Sequence, residues 1–283
     1  MINAALVLEG GALRSIYTTG VLDVFMENNI EFSCVIGVSA GALNAANYIA
    51  KHIGRSARIN IIHSRDSNYY GIKQFLLKGS AFNFNYLFYS PIKDLYPYDE
   101  NTFMTSKQRF IIGATDCKTG KEVYFEEHNY TDLVRVLQAS SSIPLICKPV
   151  NIDDKIYLDG SIAEPIGIHK AFSEGFDKQV IILTRQFEYN KTEWTKFPRF
   201  LCKIKYKKYP ELIKLLDNYS TLYNSLIEKI NTMEKQKKVF VIRPSHEINI
   251  KTIEKDARRL IDLYFLGRED ALKSLPKMYE YLN

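Results

Sequence analysis

Apolar residues at the start of the chain fall into two short unbroken runs, each followed by a segment with helical spacing. Ala4 to Leu8 reads as a strand buried on both faces and ending at Glu9-Gly10-Gly11. Ile16, Val21, Leu22, Phe25 and Met26 then recur at the period of a helix. Ser33 to Val38 repeats the strand signal, and Ala40 to Ala50 reads as a helix of small residues. A strand–helix–strand–helix order predicts a parallel sheet with crossover helices packed on it. Further on, Arg109 to Thr115 and Glu122 to Glu126 read as paired strands joined by Lys118-Thr119-Gly120. Leu133 to Ala139 reads as a helix, Ile156 to Leu158 as a short strand ending at Asp159-Gly160, and Gln179 to Thr184 as a further buried strand.

After Arg185 the pattern changes. Residues 190 to 238 are rich in Lys, Tyr and Leu and predict long amphipathic helices, Val239 to Arg243 one more strand, and Ile253 to Leu282 two helices meeting near Gly267. No repeat or linker divides the chain. The expected organisation is a core over residues 1–185, followed over 186–283 by a helical insertion, one strand and C-terminal helices packed on that same core.

Composition narrows the class without choosing a function. The 283 residues are 46% hydrophobic and 25% charged, as in ordinary globular chains, which argues against disorder. The net charge of +6 is a mild excess compatible with contact to anionic lipid or nucleic acid, and its magnitude points to neither; no pattern of stacking residues suggests nucleic acid as a partner. Met1-Ile2-Asn3-Ala4 lacks the basic and long apolar regions of a secretion signal. The weakly polar stretch Val35 to Ala50 is shorter than the roughly 20 residues that span a bilayer. A cytoplasmic protein is therefore expected. Cys34, Cys117, Cys147 and Cys202 show no metal or redox spacing.

Three short strings carry candidate chemistry. Gly37-Val38-Ser39-Ala40-Gly41 is a G-x-S-x-G motif between a strand end and a helix start. That turn pushes the Ser39 hydroxyl out of the sheet, and the following helix N-terminus favours developing negative charge. Glu9-Gly10-Gly11-Ala12-Leu13-Arg14 frees consecutive backbone N–H groups at the end of the first strand, an oxyanion hole or anion nest with Arg14 beside it. It is neither G-x-G-x-x-G nor a Walker loop. Tyr157-Leu158-Asp159-Gly160-Ser161 places an acid at a strand end before a permissive glycine, which taken alone is a turn.

In this order, with Asp159 following Ser39 by 120 residues, the three strings resemble the patatin-like phospholipases, in particular their bacterial cytoplasmic branch. Ala114-Thr115-Asp116 and Ala139-Ser140-Ser141-Ser142-Ile143-Pro144 add to the likeness, which covers about residues 4 to 185. The resemblance implies a three-layer α/β/α fold with a mainly parallel sheet. It also implies Ser39 as nucleophile and Asp159 as general base of a dyad, with oxyanion donors at Gly10, Gly11 and Ala12. No metal or organic cofactor is implied. Ala12 stands where a third glycine is usual, and Ser15 and Ser161 are further departures.

Other features admit two readings. His52, His63, His128, His169 and His246 are isolated, although the order Ser39–Asp159–His169 imitates a hydrolase triad. Ten aromatic residues between Tyr69 and Tyr98, Tyr89 among them, suit either a core or an apolar groove for a fatty chain. Residues 199–209 interleave five basic residues with apolar ones and suit either a solvated helix face or an anionic membrane surface. The expected function is hydrolysis of lipid esters by a serine acyl hydrolase. A Ser-His-Asp esterase or thioesterase on small esters, and a non-catalytic lipid- or partner-binding protein, remain the alternatives.

Overall fold

The computed structural model describes residues 1–88, 92–126, 133–193 and 196–283, so Tyr89 and His128 lie outside the described residues. The chain opens with β1 (Ile2–Leu8), a 3-10 turn (Ala12–Ser15), α1 (Ile16–Glu27), β2 (Phe32–Val38) and α2 (Ala40–Ile49). Short helices follow: α3 (Arg55–Ile62), α4 (Ile72–Lys78), α5 (Phe84–Phe88), α6 (Ile92–Leu95) and α7 (Glu100–Thr105). Next come β3 (Arg109–Asp116), β4 (Glu122–Glu126), α8 (Leu133–Ser140), β5 (Val150–Ile152), β6 (Lys155–Asp159), α9 (Ile168–Ser173) and β7 (Gln179–Ile182). The last part holds α10 (Lys196–Lys205), α11 (Pro210–Lys235), β8 (Phe240–Ile242) and α12 (Ala257–Leu282).

The described strands form one eight-stranded sheet, mostly parallel at its centre, paired in the order β5-β6-β3-β2-β1-β7-β8 with β4 against β3. Leu6, Leu8, Tyr17, Phe25, Ala45 and Leu263 bury one face beneath α1, α2 and α12. Val7, Ile36, Ile168, Ile181, Tyr223 and Ile230 bury the other beneath α9 and α11. With both faces covered, β1 and β2 are continuous apolar runs rather than alternating ones. This is the three-layer α/β/α architecture.

Register at β3 positions the site. Val38, the last residue of β2, lies opposite Gly113, and the next β3 residue, Ala114, lies opposite Asp159 of β6. Gly113 and Ala114 both pair with β4 as well, so β4 occupies one edge of β3 while β2 and β6 meet end to end along the other. Asp159 is thereby delivered beside the turn that leaves β2.

The chain after 185 extends the same sheet and covers it, with β8 pairing parallel to β7. The two helices expected to meet near Gly267 are instead one continuous helix, α12. Gly267 is where α12 crosses α1: a Cβ there would stand 2.1 Å from the Tyr17 carbonyl oxygen, and one on Gly20 would stand 2.2 Å from the Tyr264 carbonyl oxygen. The glycine permits a close crossing and does not break the helix.

Candidate active site

Ser39 sits on the turn between β2 and α2 with φ 56° and ψ −130°, a conformation that side-chain-bearing residues rarely adopt. Its flanking glycines serve a different need, since neither has a positive φ. A Cβ on Gly37 would lie 2.6 Å from Ala42 Cα, and one on Gly41 would lie 2.4 Å from the Leu8 carbonyl oxygen. The motif therefore combines one strained serine with two glycines dictated by close backbone approach. The Ser39 amide donates to Ser140 Oγ at 2.8 Å, and that hydroxyl donates to the Gly113 carbonyl at 2.6 Å. Ser140 thus ties the turn to β3.

The Ser39 hydroxyl donates directly to Asp159 Oδ2 at 2.7 Å. Asp159 Oδ1 accepts from the Ser161 amide at 2.9 Å, and its backbone carbonyl accepts from Thr115 Oγ1 at 2.8 Å. Gly160 is required next to it, because a Cβ there would stand 2.2 Å from the Gly113 carbonyl oxygen. Both Ser39 and Asp159 are buried. Burial pushes the Asp159 carboxyl above its ordinary range, against the opposing pull of the hydrogen bonds from Ser161 and Ser39 and of the Lys191 charge.

Gly10 packs on the nucleophile: a Cβ there would lie 2.8 Å from Ser39 Cβ. Among the described residues, the amides of Gly10, Gly11 and Ala12 have no protein acceptor, whereas the Arg14 amide is used by the Gly11 carbonyl at 3.0 Å. Ala12, in the place of a usual glycine, has φ 49°, a left-handed conformation that costs an alanine about 1–2 kcal/mol. Glu9 anchors this loop. Its Oε2 accepts from the Thr184 amide at 2.5 Å and from Thr184 Oγ1 at 3.0 Å, and its Oε1 accepts from the Tyr223 hydroxyl at 2.8 Å.

Two chambers meet at Ser39, Ala12 and Ile143. The apolar one is walled by Leu43, Ile59, Tyr69, Phe82, Phe84 and Leu87, so part of the aromatic segment lines a cavity. Tyr70, by contrast, packs into the core. The polar chamber is lined by Arg14, Arg185, Lys191, Tyr219 and Tyr223 beside Glu9 and Asp159. The sequence alone did not single out Ser140, Arg185, Lys191, Tyr219 or Tyr223. Ser140 lay within a noted string, but the others reach the site from distant elements.

Among the described residues no histidine hydrogen-bonds Ser39 or Asp159. His169 begins α9, is largely exposed, and pairs through Nδ1 with Glu164 at 2.9 Å. His52 accepts from the Asp99 amide, His63 meets the Tyr86 hydroxyl, and His246 meets Ser245. No described group of His, Cys, Asp and Glu is arranged to hold a metal ion.

A mostly parallel sheet between two helical layers, with its polar cluster at the carboxyl ends of β1, β2 and β7, defines an α/β protein of the kind that places its site at strand ends. Residues 6–172 match the family described as Patatin-like phospholipase, and the chain belongs to that family of lipid hydrolases. Residues 209–283 match a second family, described as a domain of unknown function (DUF6363). The chain is similar to the "Uncharacterized protein YjjU" of Escherichia coli K12, with 26% identity over 273 residues, covering 93% of this chain and 74% of that protein. It is also similar to the crystal structure of VipD from Legionella pneumophila, with 13% identity and a TM-score of 0.47, covering 98% of this chain and 67% of that one.

Proposed function

We propose that this protein is a serine acyl hydrolase acting on lipid esters through a Ser39–Asp159 dyad. The observation that carries the reading is the 2.7 Å hydrogen bond from the Ser39 hydroxyl to Asp159 Oδ2. Asp159 removes the hydroxyl proton as Oγ attacks the ester carbonyl. The amides of Gly10, Gly11 and Ala12 hold the resulting oxyanion, and the alcohol leaves with the proton returned by Asp159. Water, deprotonated by Asp159, then releases the acyl group from Ser39. Burial equips Asp159 as a base, since a carboxylate of raised proton affinity takes a hydroxyl proton more readily than an exposed one. The apolar chamber accepts the acyl chain.

The proposed division of labour gives the chemistry to residues 1–185 and leaves 186–283 to complete the sheet and wall the polar chamber. A cytoplasmic setting is supported by four free, buried cysteines. Peripheral contact with anionic membrane is supported by α10 and the turn after it, where Phe200 and Ile204 are exposed beside Lys205, Lys207 and Lys208.

Asp159→Asn tests the dyad, because the amide keeps the shape and cannot accept the proton. Hydrolysis of a soluble p-nitrophenyl ester should fall by about 10²–10⁴-fold with circular dichroism unchanged, while His169→Ala and His246→Ala keep most activity. An active Asp159→Asn beside a dead His169→Ala would replace the dyad with a histidine-based triad.

A further inference from the structure

We infer that the apolar chamber selects acyl groups whose far end carries a carboxylate, held there by Arg55. The inference rests on the acyl-hydrolase reading and names the acyl class which that same site takes. Ala40, Leu43, Asn44 and Asn47 lay one face of α2 along the chamber, starting at Ser39. Asn47 Oδ1 accepts from Arg55 Nη1 at 3.0 Å, so Arg55 stands about two helical turns beyond the nucleophile. That is about 12 Å along the axis, which an extended chain of about eight carbons spans with one charge-assisted hydrogen bond at its end.

This end of the chamber is not shaped for a methyl terminus. Arg55 is only 4% exposed and begins α3. Thr19, Asn44, Asn47 and Ser56 join it in one buried network. Asn44 Oδ1 accepts from Thr19 Oγ1 at 3.2 Å and from Ser56 Oγ at 2.9 Å, and Asn47 Nδ2 donates to Ser56 Oγ at 3.4 Å. The other partners of Arg55 are backbone carbonyls, that of Tyr96 at 3.0 Å from Nε and that of Leu87 at 3.4 Å from Nη2. All these acceptors are neutral, so they satisfy N–H groups and leave the charge in place.

Among the described residues no Asp or Glu lines this chamber, and the segment 67–93 that supplies its aromatic wall has no acidic residue in its sequence. Asp23 accepts from the Gly54 amide at 3.0 Å just ahead of Arg55, but it also accepts from the Tyr264 hydroxyl and does not line the chamber. Burial lowers the proton affinity of Arg55, and the groups acting on it are Tyr98, Tyr69 and Arg58, with no carboxylate among them. A buried cation without a counter-ion is costly, and an entering carboxylate offsets that cost. Three of the five guanidinium donors are engaged. One remains on each terminal nitrogen, a match for the two oxygens of a carboxylate.

The test follows p-nitrophenolate release by the whole protein from p-nitrophenyl octanoate, p-nitrophenyl 8-hydroxyoctanoate and the mono-p-nitrophenyl ester of octanedioic acid. The octanedioate ester should show a kcat/KM at least about tenfold above the octanoate ester. The pentanedioate monoester, too short to reach Arg55, should show no such gain over p-nitrophenyl pentanoate. In Arg55→Gln the ratio of octanedioate to octanoate should fall to one or below. Because Arg55 also braces two backbone carbonyls, circular dichroism checks that variant; if it does not fold, the chain-length comparison in the parent decides. Octanedioate cleaved no faster than octanoate, or the preference kept in a folded Arg55→Gln, would overturn the inference, leaving the hydrolase and making Arg55 a brace. An equal gain for pentanedioate would put the carboxylate contact beside Ser39 and overturn it too. So would 8-hydroxyoctanoate cleaved as fast as octanedioate, since the chamber would then read hydrogen bonding and not charge. Cleavage of none of these esters would remove the hydrolase reading and this inference together.

Discussion

Asp159 brings two opposing demands onto one side chain. It must be ionised to take a proton, yet burial raises its pKa above the ordinary value of about 3.9. Its conjugate acid is inert as a base, so activity should be present above the raised pKa and lost as pH falls through it. With a neutral soluble ester, the acid limb of kcat/KM should therefore lie above the ordinary aspartate range. The Lys191 charge, which pulls Asp159 the other way, is the group whose removal should move that limb further up. A limb at or below the ordinary value would mean that Asp159 is not the base. At this scale the local motifs were legible in the sequence, because close backbone approach prescribes Gly37, Gly41 and Gly160. The positive φ was harder to assign, as it belongs to Ser39 and Ala12 and not to the elbow glycines. Lys191 and Arg185 left no local signal, since only the fold brings them to Ser39.

Elements show where local propensity yields to packing. The strands around the site and the helices Ala40–Ile49 and Leu133–Ser140 were readable as apolar runs and periodic segments to within about two residues, whereas β5 and the short helices α3 to α7 were not read. Gly267 misled because an isolated glycine reads as a helix boundary until the partner helix is known. Substitution by alanine decides between the two forces. Helix propensity alone would add roughly 1 kcal/mol of stability. A methyl 2.1 Å from the backbone oxygen of Tyr17 instead forces α1 and α12 apart, and overpacking of this kind costs about 1–3 kcal/mol. Backbone cannot swing aside as a side chain does, so the clash should win. Gly267→Ala is expected to lose about 1–2 kcal/mol in urea unfolding. A variant as stable as the parent would show that the crossing tolerates the added group.

Across the whole molecule, the pairing of Ser39 with Asp159 was not visible in any spacing. The order of motifs, through the family resemblance, suggested it. The physical cause is the end-to-end meeting of β2 and β6 on β3, a tertiary fact. Surface charge is likewise redistributed by the fold. Arg199 and Lys203 of the basic segment turn to Asp217 on α11, at 3.1 Å and 3.5 Å, whereas Lys207 and Lys208 have no ion-pair partner among the described residues. If this face meets anionic membrane, replacing Lys205, Lys207 and Lys208 with Gln should weaken vesicle binding by about 1 kcal/mol per charge, an effect that salt should screen. Unchanged sedimentation with phosphatidylserine vesicles would make the segment a solvated helix face. Among the described residues no helix is long and apolar enough to cross a membrane.

Everything proposed for this site requires Ser39 to be an activated nucleophile, and covalent capture reads that property without assuming a substrate. A fluorophosphonate should form one adduct, seen by intact-protein mass spectrometry, mapped by peptide sequencing to Ser39 and absent from Ser39→Ala. An adduct mapped to another residue, or no adduct on the folded protein, would leave Ser39 a strained turn residue and not a nucleophile.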